Sequence, residues 1–227
     1  MRKPHFIARQ GRRPAGLLGH IVAQVMARET APENAQTLDL LDLRSGDRIL
    51  EIGCGHGRTL REAANCADDI TVTGVDFSDV MIRVARRRNR QLIAAGRVML
   101  DHGDSATLRY SNAAFTKIYS VHTIYFWEQP TAQLREIFRV LAPGGRFVLG
   151  FRSGDDAEYS AQFPAAIYRM RPRAEIEAMV ADCGYDEVRT IARRIGGHAM
   201  TWVIAQKATN RSNTCEPGLM EEDLCVS

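Results

Sequence analysis

No run of about 18 consecutive apolar residues occurs in the 227-residue chain, so it offers no candidate for a membrane-spanning helix. There is no CxxC pair, and the five cysteines (Cys54, Cys66, Cys183, Cys215 and Cys225) are an odd number that cannot all pair with one another. That excludes a disulfide scaffold and leaves no zinc motif; it suits a reducing cytosol, so a cytoplasmic location and no bound metal are expected. Charge of one sign is also lacking. Thirty Lys and Arg against 27 Asp and Glu leave a net +3, too small a surplus to suggest nucleic acid as a partner. No internal repeat appears. What is present is 45% hydrophobic and 25% charged residues, the balance of a globular protein, at a length that fits one domain with a full core.

The two ends differ from the middle. Before Glu29 stand six cations (Arg2, Lys3, Arg9, Arg12, Arg13 and Arg28) and no carboxylate, followed by apolar residues 18, 21, 22, 25 and 26 at helical spacing. His20 and Gln24 interrupt what a targeting peptide would keep apolar, so residues 1–32 are expected to form an amphipathic segment that covers a site. The same features fit a helix lying on an anionic membrane surface, and that alternative stays open. Residues 209–227 are polar with no periodic apolar pattern and are expected to be disordered.

Between these ends, residues 33–208 alternate short β-type runs with helix-period runs, the pattern of a Rossmann-like, doubly wound α/β sheet. Helices are expected over 33–43, 58–66, 78–95, 131–141 and 173–182, and strands over 48–52, 71–75, 98–102, 115–121 and 146–151. Pro143-Gly144-Gly145 should stop the fourth helix. Runs 187–195 and 199–206 flank Gly196-Gly197-His198, and so short a turn makes them an antiparallel hairpin. Residues 153–171 show no clean period and read as an insertion or cover rather than core. Arg83, Arg86, Arg87 and Arg90 fall on one side of the third helix, as a solvated face would.

The first strand runs into Gly53-Cys54-Gly55-His56-Gly57, where glycines let a ligand approach the backbone. The spacing is G-x-G-x-G. The dinucleotide fingerprint needs its third glycine at position 58, which is Arg58, so a nicotinamide-dependent oxidoreductase is disfavoured. Asp76 ends the second strand about twenty residues later, where a Rossmann-type site places an acid for the ribose hydroxyls. Asp104, after the third strand, can accept from an exocyclic adenine amine. Three adjacent strand ends then bind one nucleoside.

With these residues in place the chain resembles the class I S-adenosylmethionine-dependent methyltransferases, in particular the small-molecule branch similar to ubiquinone and menaquinone C-methyltransferases. The matching segments are ILEIGCGHGRT (49–59), VTGVDFS (72–78), GDSATL (103–108), FTKIYSVHTIYFW (115–127) and RVLAPGGRFVLGF (139–151), in family order and spacing. The resemblance implies a seven-stranded sheet with an antiparallel last strand and S-adenosyl-L-methionine as cofactor. It also implies that Glu51 reaches the methionine amine and that Gly53, Cys54 and Gly55 pass beneath the methionine part. Asp76 would hold the ribose, Phe77 would lie against adenine, Asp104 and Ser105 would bind its edge, and Val121 and His122 would flank the sulfonium.

Methyl transfer is an in-line displacement in which the protein aligns the acceptor and excludes water. Where the acceptor must lose a proton, His122 at the tip of the fourth strand is the first candidate base and Tyr125 the second. The competing reading is that His122 only bonds backbone at the sheet edge. Cys54 reads as a small filler and not a nucleophile. The expected partner is a small-molecule acceptor, anionic or lipid-soluble, with peripheral membrane contact open. A non-catalytic module on the same fold is opposed by the intact Glu51, Asp76 and Asp104.

Overall fold

The computed structural model describes residues 30–209, which form a seven-stranded sheet in the order β3-β2-β1-β4-β5-β7-β6. In chain order the elements are α1 (Ala31–Leu41), β1 (Arg48–Ile52), α2 (Arg58–Ala64), β2 (Thr71–Asp76), α3 (Asp79–Arg88), α4 (Arg90–Ala94), β3 (Val98–His102) and β4 (Phe115–Val121). There follow α5 (Pro130–Val140), β5 (Leu141–Phe151), α6 (Ala157–Ser160), α7 (Arg173–Ala181), β6 (Glu187–Ile195) and β7 (His198–Gln206). β1 pairs in parallel with both β2 and β4, while β7 is antiparallel to β5 and β6. The chain winds outward from β1 to β3 and then returns to β4 on the other side of β1. The C-terminal ends of β1 and β4 therefore flank the switch point, the place where open α/β sheets hold ligands.

Strand periodicity divides the core between two faces. Ile49, Tyr119, Val148 and Trp202 pack with Leu38, Leu41, Leu60 and Ile82 of α1, α2 and α3. Leu50, Ile52, Ile118, Phe147 and Leu149 pack with Leu134 and Ile137 of α5 and with Ile176 and Val180 of α7. Successive side chains on one strand go to opposite faces, so both sides of these strands are apolar, as a sheet covered twice requires. The β6–β7 turn is Gly196-Gly197, with φ of 57° and 84°, the positive values that a two-residue hairpin turn demands. Among the described residues no helix is long and apolar enough to cross a membrane.

Several boundaries differ from expectation. α1 spans Ala31–Leu41 where 33–43 was expected, since Pro32 is at home in a first helical turn. The long helix expected over 78–95 breaks at Asn89, whose buried side chain donates to Gly57 O (2.8 Å) and Ala85 O (3.0 Å) and ends α3. Pro143-Gly144-Gly145 does not stop a helix. α5 has already ended at Val140, and the three residues lie within β5 as extra length: Phe115 pairs with Leu141, yet Lys117 pairs with Arg146. Residues 153–171 are not mere cover either, because Ile167 and Tyr168 are buried against the α5 face with Phe163 and Met170 beside them. Aromatic contacts among Tyr125, Phe126, Phe163 and Tyr168 secure that segment. Of the cover expected over residues 1–32, residues 1–29 lie outside the described residues, as do residues 210–227 of the tail expected to be disordered over 209–227.

Candidate functional site

Two rims meet at the switch point. On the β1–β2 side, Gly53, Gly55 and Gly57 have φ of 74°, 51° and 71°, a left-handed series that only glycine adopts freely. A Cβ on Gly53 would run into Thr123 Cγ2, so the loop passes close under the tip of β4. A Cβ on Gly55 would meet no atom within 4 Å, which leaves the backbone there open to a ligand. Gly53 N and Cys54 N both donate to Val75 O, at 2.8 and 3.1 Å, tying the loop to β2.

Asp76 ends β2 against this loop. Its Oδ2 accepts from Gly55 N (2.9 Å) and its Oδ1 from Ser78 N (2.8 Å), so it braces the loop and the start of α3 together. Each carboxylate oxygen has two acceptor sites, so capacity for further donors remains. Burial pushes this carboxyl up from its ordinary value against the pull of those two N–H bonds. Ser78 Oγ caps α3 by accepting from Met81 N (3.4 Å). Glu51 is buried on β1 beside its register neighbour Tyr119, whose hydroxyl donates to Oε2 at 2.8 Å. Burial holds the Glu51 carboxyl well above its ordinary value, a latent charge that a cationic group arriving beside it would draw out.

The remaining residues expected at this rim are near the same strand ends. Phe77 is exposed directly after Asp76, and His102 bonds its carbonyl at 3.0 Å. Asp104 begins the turn after β3, with Oδ1 accepting from Ala106 N (2.9 Å), and Ser105 is buried beside it. Cys54 is buried with its thiol pushed far up by desolvation, in keeping with a filler and not with a nucleophile. His56 is held neutral, its pKa pulled down to about 4 by burial and the nearby Arg88, and its Nδ1 faces Arg58 N and the Arg88 guanidinium.

The β4–β5 side is built around His122, which follows Val121 at the strand tip. Its φ is 58°, uncommon for a residue with a side chain and costing on the order of 1 kcal/mol or more, a strain that concentrates at functional positions. His122 N donates to Gly150 O at 2.9 Å, so it does bond backbone at the sheet edge. Its ring does more. Nδ1 meets the Tyr125 hydroxyl at 3.0 Å, and Nε2 meets Glu33 Oε2. Tyr125 Oη also accepts from Arg152 N at 2.5 Å, and the Arg152 guanidinium donates to Glu33 Oε1 at 2.6 Å. Burial drives the Tyr125 phenol far above its ordinary value, so its hydroxyl holds its proton. Burial also pushes the Glu33 carboxyl up, but its hydrogen bonds with His122 and Arg152 and the charge of the Arg152 guanidinium outweigh it and hold the group below its ordinary value, ionised.

Glu33 and Arg152 were not among the residues singled out in the sequence. Glu33 sits in the first turn of α1, where an acid ordinarily complements the helix dipole, and no spacing links it to position 122. Tyr119 could have been found: once β1 and β4 are neighbours, its parity puts it on the face of Glu51. Beside Arg152 a cavity of about 260 Å³ is lined by Asp155, Tyr159, His198 and Thr201, so part of segment 153–171 does build a pocket wall. Trp127 and Trp202 are both core.

A methyltransferase-domain family model matches residues 49–145, which takes in the glycine loop, Asp76, Asp104 and His122. An uncharacterised methyltransferase of Bacillus subtilis, YdaC, is 30% identical over 126 residues, covering 56% of this chain and 67% of that protein. The chain belongs to the S-adenosylmethionine-dependent methyltransferases. Within this family, the 27-O-demethylrifamycin SV methyltransferase of Amycolatopsis mediterranei is 34% identical over 111 residues, 49% of this chain and 40% of that one. The chain thus spans less than half the length of that relative, and only 53% of the length of an O-methyltransferase from Pyrenophora dematioidea that it also matches. Among solved structures, the [4+2]-cyclase SpnF superposes with a TM-score of 0.68 at 19% identity, over 78% of this chain and 81% of that one. A likeness at that identity concerns the fold alone, and a cyclase on this fold shows that architecture does not dictate chemistry.

Proposed function

We propose that this methyltransferase-family chain transfers a methyl group from S-adenosylmethionine to a small-molecule acceptor bound over the tips of β4 and β5. The observation that carries this reading is the loop Gly53–Gly57, open above Gly55 and braced by Asp76. The residues present fit the cofactor. Gly53, Cys54 and Gly55 would pass beneath its methionine part, the desolvated Glu51 would accept from its ammonium, and Asp76 would accept from the ribose hydroxyls with the lone pairs its backbone bonds leave over. Phe77, Asp104 and Ser105 would bound the adenine, and Val121 and His122 the reacting end.

The cofactor when bound supplies a sulfonium methyl that is already activated. The protein's part is therefore to align the acceptor, exclude water and, for an acceptor that ionises, take a proton. His122 is the group on hand for that proton. Tyr125, Phe126 and Tyr168 pack on one another close to it, with Phe126 only partly buried, which supports an acceptor with apolar surface. An O-methyl acceptor is supported by two relatives, the 27-O-demethylrifamycin SV methyltransferase and the Pyrenophora O-methyltransferase.

Calorimetry tests the first half. S-adenosylmethionine and S-adenosylhomocysteine should bind and raise the unfolding temperature, while NAD should do neither. A transfer screen with labelled methyl donor over phenols, quinols, carboxylic acids and amines tests the second. Binding of NAD in preference to S-adenosylmethionine would overturn the proposal.

A further inference from the structure

We propose that Glu33 is the positioning residue that makes His122 a proton acceptor, by holding its imidazole in the Nε2–H form with Nδ1 turned away toward Tyr125. This rests on the transferase reading above for its purpose, but not for its geometry. Glu33 is only 1% exposed and its two oxygens are used separately, Oε2 by His122 and Oε1 by Arg152. An ionised carboxylate can only accept, so the shared proton of the first contact belongs to His122 Nε2. The neutral ring then has its lone pair on Nδ1, and the hydroxyl that meets it is Tyr125 Oη. That hydroxyl already accepts from Arg152 N, and its own single proton is free to point at Nδ1. Every donor and acceptor in the chain Glu33–His122–Tyr125–Arg152 N is thereby matched in one direction only.

The arrangement suits proton removal better than a lone histidine would. As the acceptor's O–H or N–H bond breaks, its proton passes to Tyr125 Oη, which gives its own proton to Nδ1. The pair left on the acceptor atom becomes its bond to the methyl carbon, and the pair of the broken carbon–sulfur bond stays on sulfur. The imidazolium that results lies against a carboxylate already ionised, so its charge is met without reorganisation. Arg152 has a second role here: by occupying Oε1 it keeps Glu33 from turning away from the ring.

The tautomer can be read without knowing the acceptor. In protein labelled with 15N at histidine, held at a pH where imidazoles are neutral, His122 should show a protonated Nε2 and an unprotonated Nδ1, with a slowly exchanging Nε2–H proton. His122→Gln assigns the signals among the six histidines of the chain. Glu33→Ala should lose the slow Nε2–H signal and populate both tautomers, whereas Tyr125→Phe should keep both features. The Nδ1–H form in the unmodified protein, a measurement that needs no variant to fold, overturns the proposal. So does a folded Glu33→Ala that keeps a single Nε2–H tautomer. Calorimetry with S-adenosylmethionine on the same samples separates the two readings: absent binding defeats the transferase proposal, while the histidine spectrum decides the role of Glu33 on its own.

Discussion

The two rims of the site are assembled over very different distances along the chain. On the β1–β2 side, Asp76 reaches Gly55 across 21 residues and Ser78 across two. On the β4–β5 side, Glu33 reaches His122 across 89 residues and Arg152 across 119. The first rim is a strand–loop–helix unit followed by the next strand, so its geometry follows from local turn chemistry and one parallel pairing. The second needs α1, β4 and β5 all docked before any of its contacts exists. On the function proposed above, the cradle for the cofactor is carried by a contiguous motif, while the groups facing the acceptor are gathered from whatever the fold brings to the opposite edge.

Substitutions can break that comparison, beginning where the two rims touch. Gly53→Ala places a methyl against Thr123 Cγ2 at a φ of 74°, and strain plus overpacking should cost about 2–5 kcal/mol in urea unfolding. Thr123→Ala in the same chain should recover only part, since the backbone strain remains. Full recovery would mean that loop conformation matters little. Asp76→Ala should weaken S-adenosylmethionine binding by about 1.5–3 kcal/mol, read by calorimetry, because a charged acceptor is lost. Unchanged affinity would remove Asp76 from the cofactor site and with it the contrast between the rims.

Glu51→Gln sharpens the comparison through pH. The folded value of Glu51 stands above its unfolded one because of burial, so between the two the folded chain holds a proton that the unfolded chain has released. Stability therefore falls as pH rises through that window and stays lower above it. Without cofactor, Glu51→Gln should resist urea better than the parent at neutral pH, an advantage that disappears below the ordinary glutamate range. It should also bind S-adenosylmethionine more weakly. Glu33 has the opposite sign: its folded value is held below the unfolded one, so what it contributes is present above the unfolded value and is lost as pH falls through the folded one. The smallest effect is expected away from both rims. Arg83 pairs with Asp79 on the exposed side of α3, and Arg83→Ala should shift stability by no more than about 0.5 kcal/mol.

Much of the fold was legible because its signals are local. Alternating runs located all seven strands, Ser78 announced its cap, and Gly196-Gly197 announced the hairpin. Where local signals misled, a distant group had intervened. Asn89 reads as one more polar residue on a long helix, but it ends α3 because Gly57 O, 32 residues earlier, offers it an acceptor. Pro143-Gly144-Gly145 reads as a helix stop, but Gly144 N donates to Lys207 O and Lys207 N to Gly145 O, just past the end of β7, which holds the segment to the sheet. Residues 153–171 lack a period, and they are nonetheless buried, because aromatic packing against Tyr125 and Phe126 requires no regular spacing.

The sequence by itself determined the doubly wound sheet, the glycine loop and the acids at the strand ends, since each depends on neighbours within a few tens of residues and on the preferences of the backbone. Only the tertiary structure decided that His122 is flanked by a carboxylate, that this carboxylate comes from the first helix, and that the buried Tyr125 hydroxyl lies against the ring. Those properties are set by burial and by charges brought together from elements far apart in the chain, and neither quantity exists until the elements have packed.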